Sequence, residues 1–295
     1  MLRTLALPLL TLLTLLGLVV TATPASAAPK PAAVPVLPVV DMTALTAAAH
    51  VEGYRGNQPA LGDDDSTRLV QLALTARGFR VVADGHYGRA TTAAYIKYQR
   101  SLGYKGVDAN GIPGPQSLAR LGQGRFAVAR VVQIGSRNDR YGTKRVNTRT
   151  RQMLTAADAT VPWTITVTQG SYCVLTKAGC AKASGGTHDA GGSIDLKVAG
   201  MTSTQRWRTV QALRQVGFAA WLRLPSQCGG CWPAHIHAIA IGDTDLWQKN
   251  GKYTNRDQVA DYFVGRNGLA GHARDNTPTR YRTPFTTWER YAGIV

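Results

Sequence analysis

Two short segments of this 295-residue chain set histidines and a carboxylate into an apolar, period-two pattern. In Pro233-Ala234-His235-Ile236-His237-Ala238 the histidines differ by two, so on a strand both project from one face. In Ile194-Asp195-Leu196 the aliphatics alternate to the other face. A carboxylate buried between them needs a partner. His188 precedes Asp195 by a stretch in which Gly191 and Gly192 permit a tight turn. Two of the six histidines lie in the first segment, and His188, a third, lies seven residues before Asp195. A mononuclear zinc hydrolase needs three nitrogen or oxygen ligands and one open position. His188, Asp195 and one histidine of the His-x-His pair meet that need. The competing reading, that each is an ordinary satisfied polar residue, stays open at this point.

The start of the chain bears on compartment. Arg3 precedes an apolar run, Leu5 to Val20, which ends in Ala25-Ser26-Ala27. A charged start, a short apolar run and a small-residue exit predict a secretory signal peptide over residues 1–27. The run is short for a membrane span, which needs about 20 apolar residues. A secreted, wall-associated protein is expected, with no membrane contact after cleavage. The length that remains fits about two domains. The net charge of +17 favours polyanionic partners. For an exported chain these are anionic wall polymers rather than nucleic acid, and no basic stripe interleaved with aromatics suggests single-strand binding. The four cysteines, Cys173, Cys180, Cys228 and Cys231, are even in number and suit disulfides outside the cell. The local pairs Cys173–Cys180 and Cys228–Cys231 are favoured. Cross-pairing, a redox role for Cys228-Gly229-Gly230-Cys231 and a half-site for zinc remain open alternatives.

Residues 28–62 read as a linker, Ala-, Pro- and Val-rich at first, with a short helix possible over Met42–His50. From Asp65-Ser66-Thr67, which can cap a helix, a unit of three short helices runs over residues 63–122. Its helices are broken at Gly78 and Gly103, and Asp84-Gly85 and Asp108–Gly114 form polar turns. Val70-Gln71 with Leu74, Gly78-Phe79, Asp84-Gly85-His86-Tyr87-Gly88, Tyr98-Gln99 and Asn110-Gly111 resemble the type 1 peptidoglycan-binding domain. That resemblance implies peptidoglycan as a partner. A helical spacer that binds nothing is the plain alternative. The aspartates there lack the spacing of a calcium-binding loop.

Residues 123–143 read as a basic connector, and a second domain of mixed α+β class is expected over 144–295. Helices are expected over Arg149–Ala157 and Thr204–Gly217. Strands are expected over Val161–Thr168, Ser193–Val198, Ala219–Leu224 and Ala238–Ile241. The form Ser184-Gly185-Gly186-Thr187-His188…Asp195, followed by His235-x-His237, resembles the zinc metallopeptidases that join D-Ala-D-Ala carboxypeptidases, murein endopeptidases and the hedgehog-type fold. The resemblance implies an antiparallel-sheet domain with zinc held by His188, Asp195 and His237. His235 would lie beside the metal as the catalytic proton carrier, for which an imidazole pKa of about 6.5 is suited.

A branch of that group places a glutamate base three residues before the last ligand. Here Ala234 stands there, and the chain's two glutamates, Glu52 and Glu289, lie far away in sequence. The group often carries an upstream arginine for a substrate carboxylate. This chain has Gln169-Gly170-Ser171-Tyr172 instead, so Gln169 and Tyr172 are candidate substrate contacts and an endopeptidase is favoured over a carboxypeptidase. Trp232 is a candidate cleft wall. His272 is not expected to join the metal as an added group. No role is assigned to the tail from Gly265 on. The expectation is a monomeric, secreted peptidoglycan hydrolase whose first module concentrates it on the wall by tethering. The alternative is a non-catalytic wall-binding protein with a structural zinc site.

Overall fold

The computed structural model describes residues 36–51, 64–176, 179–249 and 253–294. The expected signal peptide, and the linker positions 28–35 and 52–62, lie outside the described residues.

The first described segment is not linker. Val39–Asp41 forms strand β1, and Met42–His50 forms helix α1, as the sequence allowed. Asp41 caps α1 by accepting the Ala44 amide at 3.2 Å. Ala44, Ala47 and Ala49 are small enough for the helix to be buried on nearly every side. At its end His50 is fully buried. Its Nδ1 accepts the Gly242 amide at 3.3 Å and its Nε2 donates to the Asp243 carbonyl at 3.0 Å. One neutral tautomer is thereby fixed, and burial draws its pKa down to about 3.

Helices α2 (Asp64–Ala76), α3 (Arg89–Ser101) and α4 (Pro115–Gly122) build the helical unit. Two buried glutamines explain its recurring motif. Gln71 accepts the Gly85 amide at 2.9 Å and donates to the Asp84 carboxylate and the His86 carbonyl. Gln99 accepts the Gly111 amide at 2.8 Å and donates to the Ile112 carbonyl. Each helix thus clamps the polar turn that follows it. Gly111 has φ +81°, and a Cβ there would meet the Thr92 carbonyl at 2.9 Å, so the second turn requires glycine.

The segment expected as a second linker is also packed. Strand β2 (Ala127–Ala129) pairs in parallel with β1. Strands β3 (Asp139–Tyr141) and β4 (Lys144–Val146) form a hairpin. Phe126 and Val132 are core residues. Arg137 bridges Asp245 of the second domain and Asp108 of the helical unit.

The second domain is α+β. Helix α5 (Thr148–Asp158) precedes β5 (Val167–Gln169), then come β6 (Ser193–Lys197), α6 (Ser203–Gln215), β7 (Phe218–Arg223) and β8 (His235–Ala240). Helices α7 (Asn255–Phe263) and α8 (Trp288–Tyr291) follow. The four strands form one antiparallel sheet, order β5-β6-β8-β7. Strand β5 is shorter than the expected Val161–Thr168. Pro162 has no amide to donate, and the Ile165 amide donates to the Asp158 side chain at 2.5 Å instead of a strand.

Period-two alternation divides the sheet. Ile194, Leu196, Ala220, Leu222, Ile236 and Ala238 join the core beneath α5 and α6. Ala219, Trp221 and Ile239 face the other side, with α1, α7 and the helical unit. The tail is tied in as well. Glu289 of α8 accepts from buried Arg149 in a two-point ion pair, 2.7 and 2.9 Å. Arg214 pairs with Asp275 at 2.9 Å. Among the described residues, no helix is long and apolar enough to cross a membrane.

Candidate metal centre

Asp195 of β6 and His237 of β8 are register partners, and so are Lys197 and His235. Trp221 and Arg223 of β7 extend these two rows, opposite His237 and His235. Odd-numbered residues of β6, β7 and β8 therefore share the face away from α5 and α6.

His188 reaches this face from the loop between β5 and β6. Its own carbonyl accepts the Cys173 amide, and the neighbouring Ala190 carbonyl accepts the Tyr172 amide at 2.8 Å. A Cβ on Gly191 would stand 2.6 Å from the Tyr172 hydroxyl. Glycine is thus required for the close approach that sets His188. The Cys173–Cys180 disulfide closes the loop on one side, and Cys228 pairs with Cys231 near the mouth. The favoured local pairings are those found.

Nδ1 of His188 lies 2.9 Å from the Gly170 carbonyl. A carbonyl only accepts, so Nδ1 carries the proton and Nε2 is a lone pair. Nε2 of His237 lies 3.0 Å from Oε1 of Gln258; in the tautomer that donates there, Nδ1 of His237 is the lone pair. Both lone pairs turn on Asp195 Oδ1, at 3.3 and 2.8 Å. His188 Nε2 is buried and has no hydrogen-bond partner. Ligand atoms of His188, Asp195 and His237 all lie within 4.8 Å of one another. Three acceptors facing one point repel unless a cation sits among them. The outer hydrogen bonds to Gly170 and Gln258 are of the kind that orient metal-bound imidazoles. The residues therefore fit a zinc ion.

Without a cation the same three groups perturb one another's protonation instead. Burial opposes the Asp195 charge, but His188 and His237 outweigh it and hold the carboxyl well below its usual range. Burial also opposes protonation of His188, yet the Asp195 charge and the Gly170 bond raise its pKa. His237 is drawn down to about 4, by burial first, and is neutral near pH 7.

A cleft of about 280 Å³ opens over the cluster. His235 lies on its floor, with Nδ1 donating to the Pro233 carbonyl at 2.8 Å and Nε2 3.8 Å from Asp195 Oδ1. Gln169 and Trp232 line the cleft, and the Trp232 ring meets His235 edge-on at 5.9 Å. Tyr172 does not. It is 1% exposed, and its hydroxyl donates to Asp245 at 2.6 Å. Its expected role in substrate contact is corrected to one of packing beneath the loop. Asp189 turns away, accepting the Lys249 amide at 3.1 Å. His272 pairs with Asp261 at 3.0 Å.

Sequence reasoning missed Gln258 and Arg223. Gln258 carries no motif and reaches the site from α7. Arg223 was signalled only by its register opposite His235, which depends on how β7 pairs.

Residues 63–121 match the model of the putative peptidoglycan binding domain family. The helical unit is thus a peptidoglycan-binding domain, which associates the chain with the cell wall. No curated protein and no solved structure matches the chain. The described structure joins this domain to the domain of the His188–Asp195–His237 cluster through packed segments. Asn110 of the peptidoglycan-binding domain donates to the Thr244 carbonyl at 2.8 Å, and Arg256 of α7 donates to the Asn110 carbonyl at 2.7 Å.

Proposed function

We propose that this chain is a secreted zinc-dependent peptidase of peptidoglycan that hydrolyses an amide bond in the stem peptide or its cross-link. One observation carries the reading: three lone-pair donors, His188 Nε2, Asp195 Oδ1 and His237 Nδ1, converge at the floor of a cleft with their outer hydrogen bonds already made. The peptidoglycan-binding domain in the same chain supplies the substrate class.

Zinc held by these three residues would supply Lewis-acid chemistry, polarising a scissile carbonyl and acidifying water. The chain's own residues do the rest. His235 has its Nδ1 proton committed to Pro233, so Nε2 is the basic atom facing the cleft. It takes a proton there as water attacks and returns it to the leaving amine. Among the described residues no glutamate is available for that role, since Glu289 is buried against Arg149. Gln169 offers an amide to a peptide carbonyl from β5, and Trp232 screens His235 from bulk water. Endopeptidase action is favoured over removal of a terminal D-alanine, because the segment 169–173 holds no arginine where the carboxypeptidases that the motif resembles often carry one.

The test is digestion of purified peptidoglycan by the mature, zinc-loaded protein, with and without a chelator, followed by mass analysis. Chelator-sensitive fragments whose masses report amide hydrolysis are expected. No release from several wall types at full zinc occupancy overturns the peptidase reading in favour of a non-catalytic wall-binding protein.

A further inference from the structure

Arg223 is a buried arginine that no carboxylate among the described residues touches; Asp195, Asp261 and Asp275 act on it only from beyond ion-pairing distance. It is 3% exposed and lies at the end of β7, directly across from His235. Its guanidinium donates to the Asn267 carbonyl and, at 2.8 Å, to the Gly268 carbonyl. Its carbon lies 5.0 Å over the Trp221 ring, which itself stacks against His237. These contacts fix the side chain without cancelling its charge. The other buried arginines differ: Arg149 has Glu289 and Arg214 has Asp275. Among the described residues, Arg223 has no carboxylate within ion-pairing distance, yet it lines the cleft beside the metal cluster.

A buried charge with no counter-ion in contact is unfavourable unless something else compensates. Pinning the loop that carries Leu269 needs only a neutral donor. What a guanidinium adds is a planar fork matched to a carboxylate. Two of its five N–H groups meet carbonyls, and three remain.

We propose that Arg223 is the subsite for a substrate carboxylate, taking one carboxylate of a peptidoglycan stem peptide into the cleft next to His235. The proposal rests on the peptidase reading for its substrate class. It also changes where that carboxylate sits: the clamp comes from β7, across the sheet from Gln169 on β5.

The experiment compares synthetic stem peptides in which each carboxylate is converted, one at a time, to a carboxamide. Binding to the zinc-loaded full-length protein is measured by calorimetry, and cleavage separately by mass analysis. One amidation is expected to weaken binding about ten- to hundredfold, the range for a hydrogen-bonded charge. Arg223→Gln, with zinc content and melting checked, is expected to bind the free-acid and amidated forms equally. Should that variant not fold, the same peptides are titrated into metal-free wild-type protein, where the protein's own cations alone act. Equal binding of all amidated forms by the wild type, or undiminished discrimination in folded Arg223→Gln, overturns the subsite. Because binding is read without turnover, a protein that discriminates carboxylates but releases nothing from the wall refutes the peptidase and leaves Arg223 as an anion site.

Discussion

Gln258 offers the sharpest test of the candidate metal centre, because it bonds His237 directly and lies outside every motif. It is 5% exposed, and its Oε1 lies 3.0 Å from His237 Nε2. That bond fixes which nitrogen of His237 is the lone pair. In Gln258→Leu the side chain keeps its approximate size but accepts nothing, so the inner nitrogen can be protonated and the ring is free to turn. Loss of such an outer partner lowers metal affinity about 10- to 100-fold, or roughly 1.4 to 2.7 kcal/mol. Gln258→Glu keeps an acceptor at the same reach and is expected to hold affinity at or above wild type. Zinc dissociation constants from competition with a chromophoric chelator, on proteins of matched far-ultraviolet dichroism, give the readout. A folded Gln258→Leu variant that binds zinc within twofold of wild type would refute the argument that outer hydrogen bonds set this centre.

Four further outcomes are expected. His235→Ala should retain zinc at full occupancy while turnover on peptidoglycan falls about 10²- to 10⁴-fold, the usual share of a general base; unchanged turnover removes His235 from the mechanism. Glu289→Ala strands the Arg149 guanidinium in the core and should destabilise the fold by about 3 to 5 kcal/mol in urea titration, with the midpoint lowered. His50 is neutral in the fold with its pKa near 3 and charged below about 6.5 when unfolded. Its contribution is therefore complete above about pH 6.5 and fades by about 1.4 kcal/mol per pH unit below it; His50→Gln should flatten the slope of stability against pH between 4 and 6. Tyr172→Phe should lower stability by about 1 to 3 kcal/mol through the buried Asp245 carboxylate it leaves short of a donor, with KM unchanged; a raised KM would restore Tyr172 to the cleft.

The parts of the fold legible in the sequence were those written in local periodicity. The alternation of Ile194-Asp195-Leu196 and of His235 to Ala240 gave both the strands and the face on which the donors meet, and helices α2 to α6 follow their apolar spacing. The His-x-His pair could not say which histidine ligates, because that depends on partners far away in sequence: Gln258 fixes His237, while Pro233 holds His235. Tyr172 shows the opposite failure. Its neighbours in sequence suggest a cleft, but its positive φ of 59° turns the ring inward toward Asp245, a conformation no pattern of hydropathy records. Arg223 likewise reads as the polar end of an apolar strand until its register opposite His235 is known.

Composition also misled about the connections. An Ala- and Pro-rich stretch and a basic, glycine-containing one have the character of linkers, and a linker would let one domain raise the local concentration of the other by tethering. In the structure the alanines of α1 serve close packing, with His50 bonded to the turn after β8. The basic connector is held by Arg137, whose two carboxylate partners lie in different domains. Asn110 and Arg256 add hydrogen bonds at the same junction. A domain held this way gains little from the statistics of a flexible chain. Its binding surface has a set orientation to the cleft, so a wall strand bound by one domain meets the His188–Asp195–His237 cluster only along directions that the shared core permits.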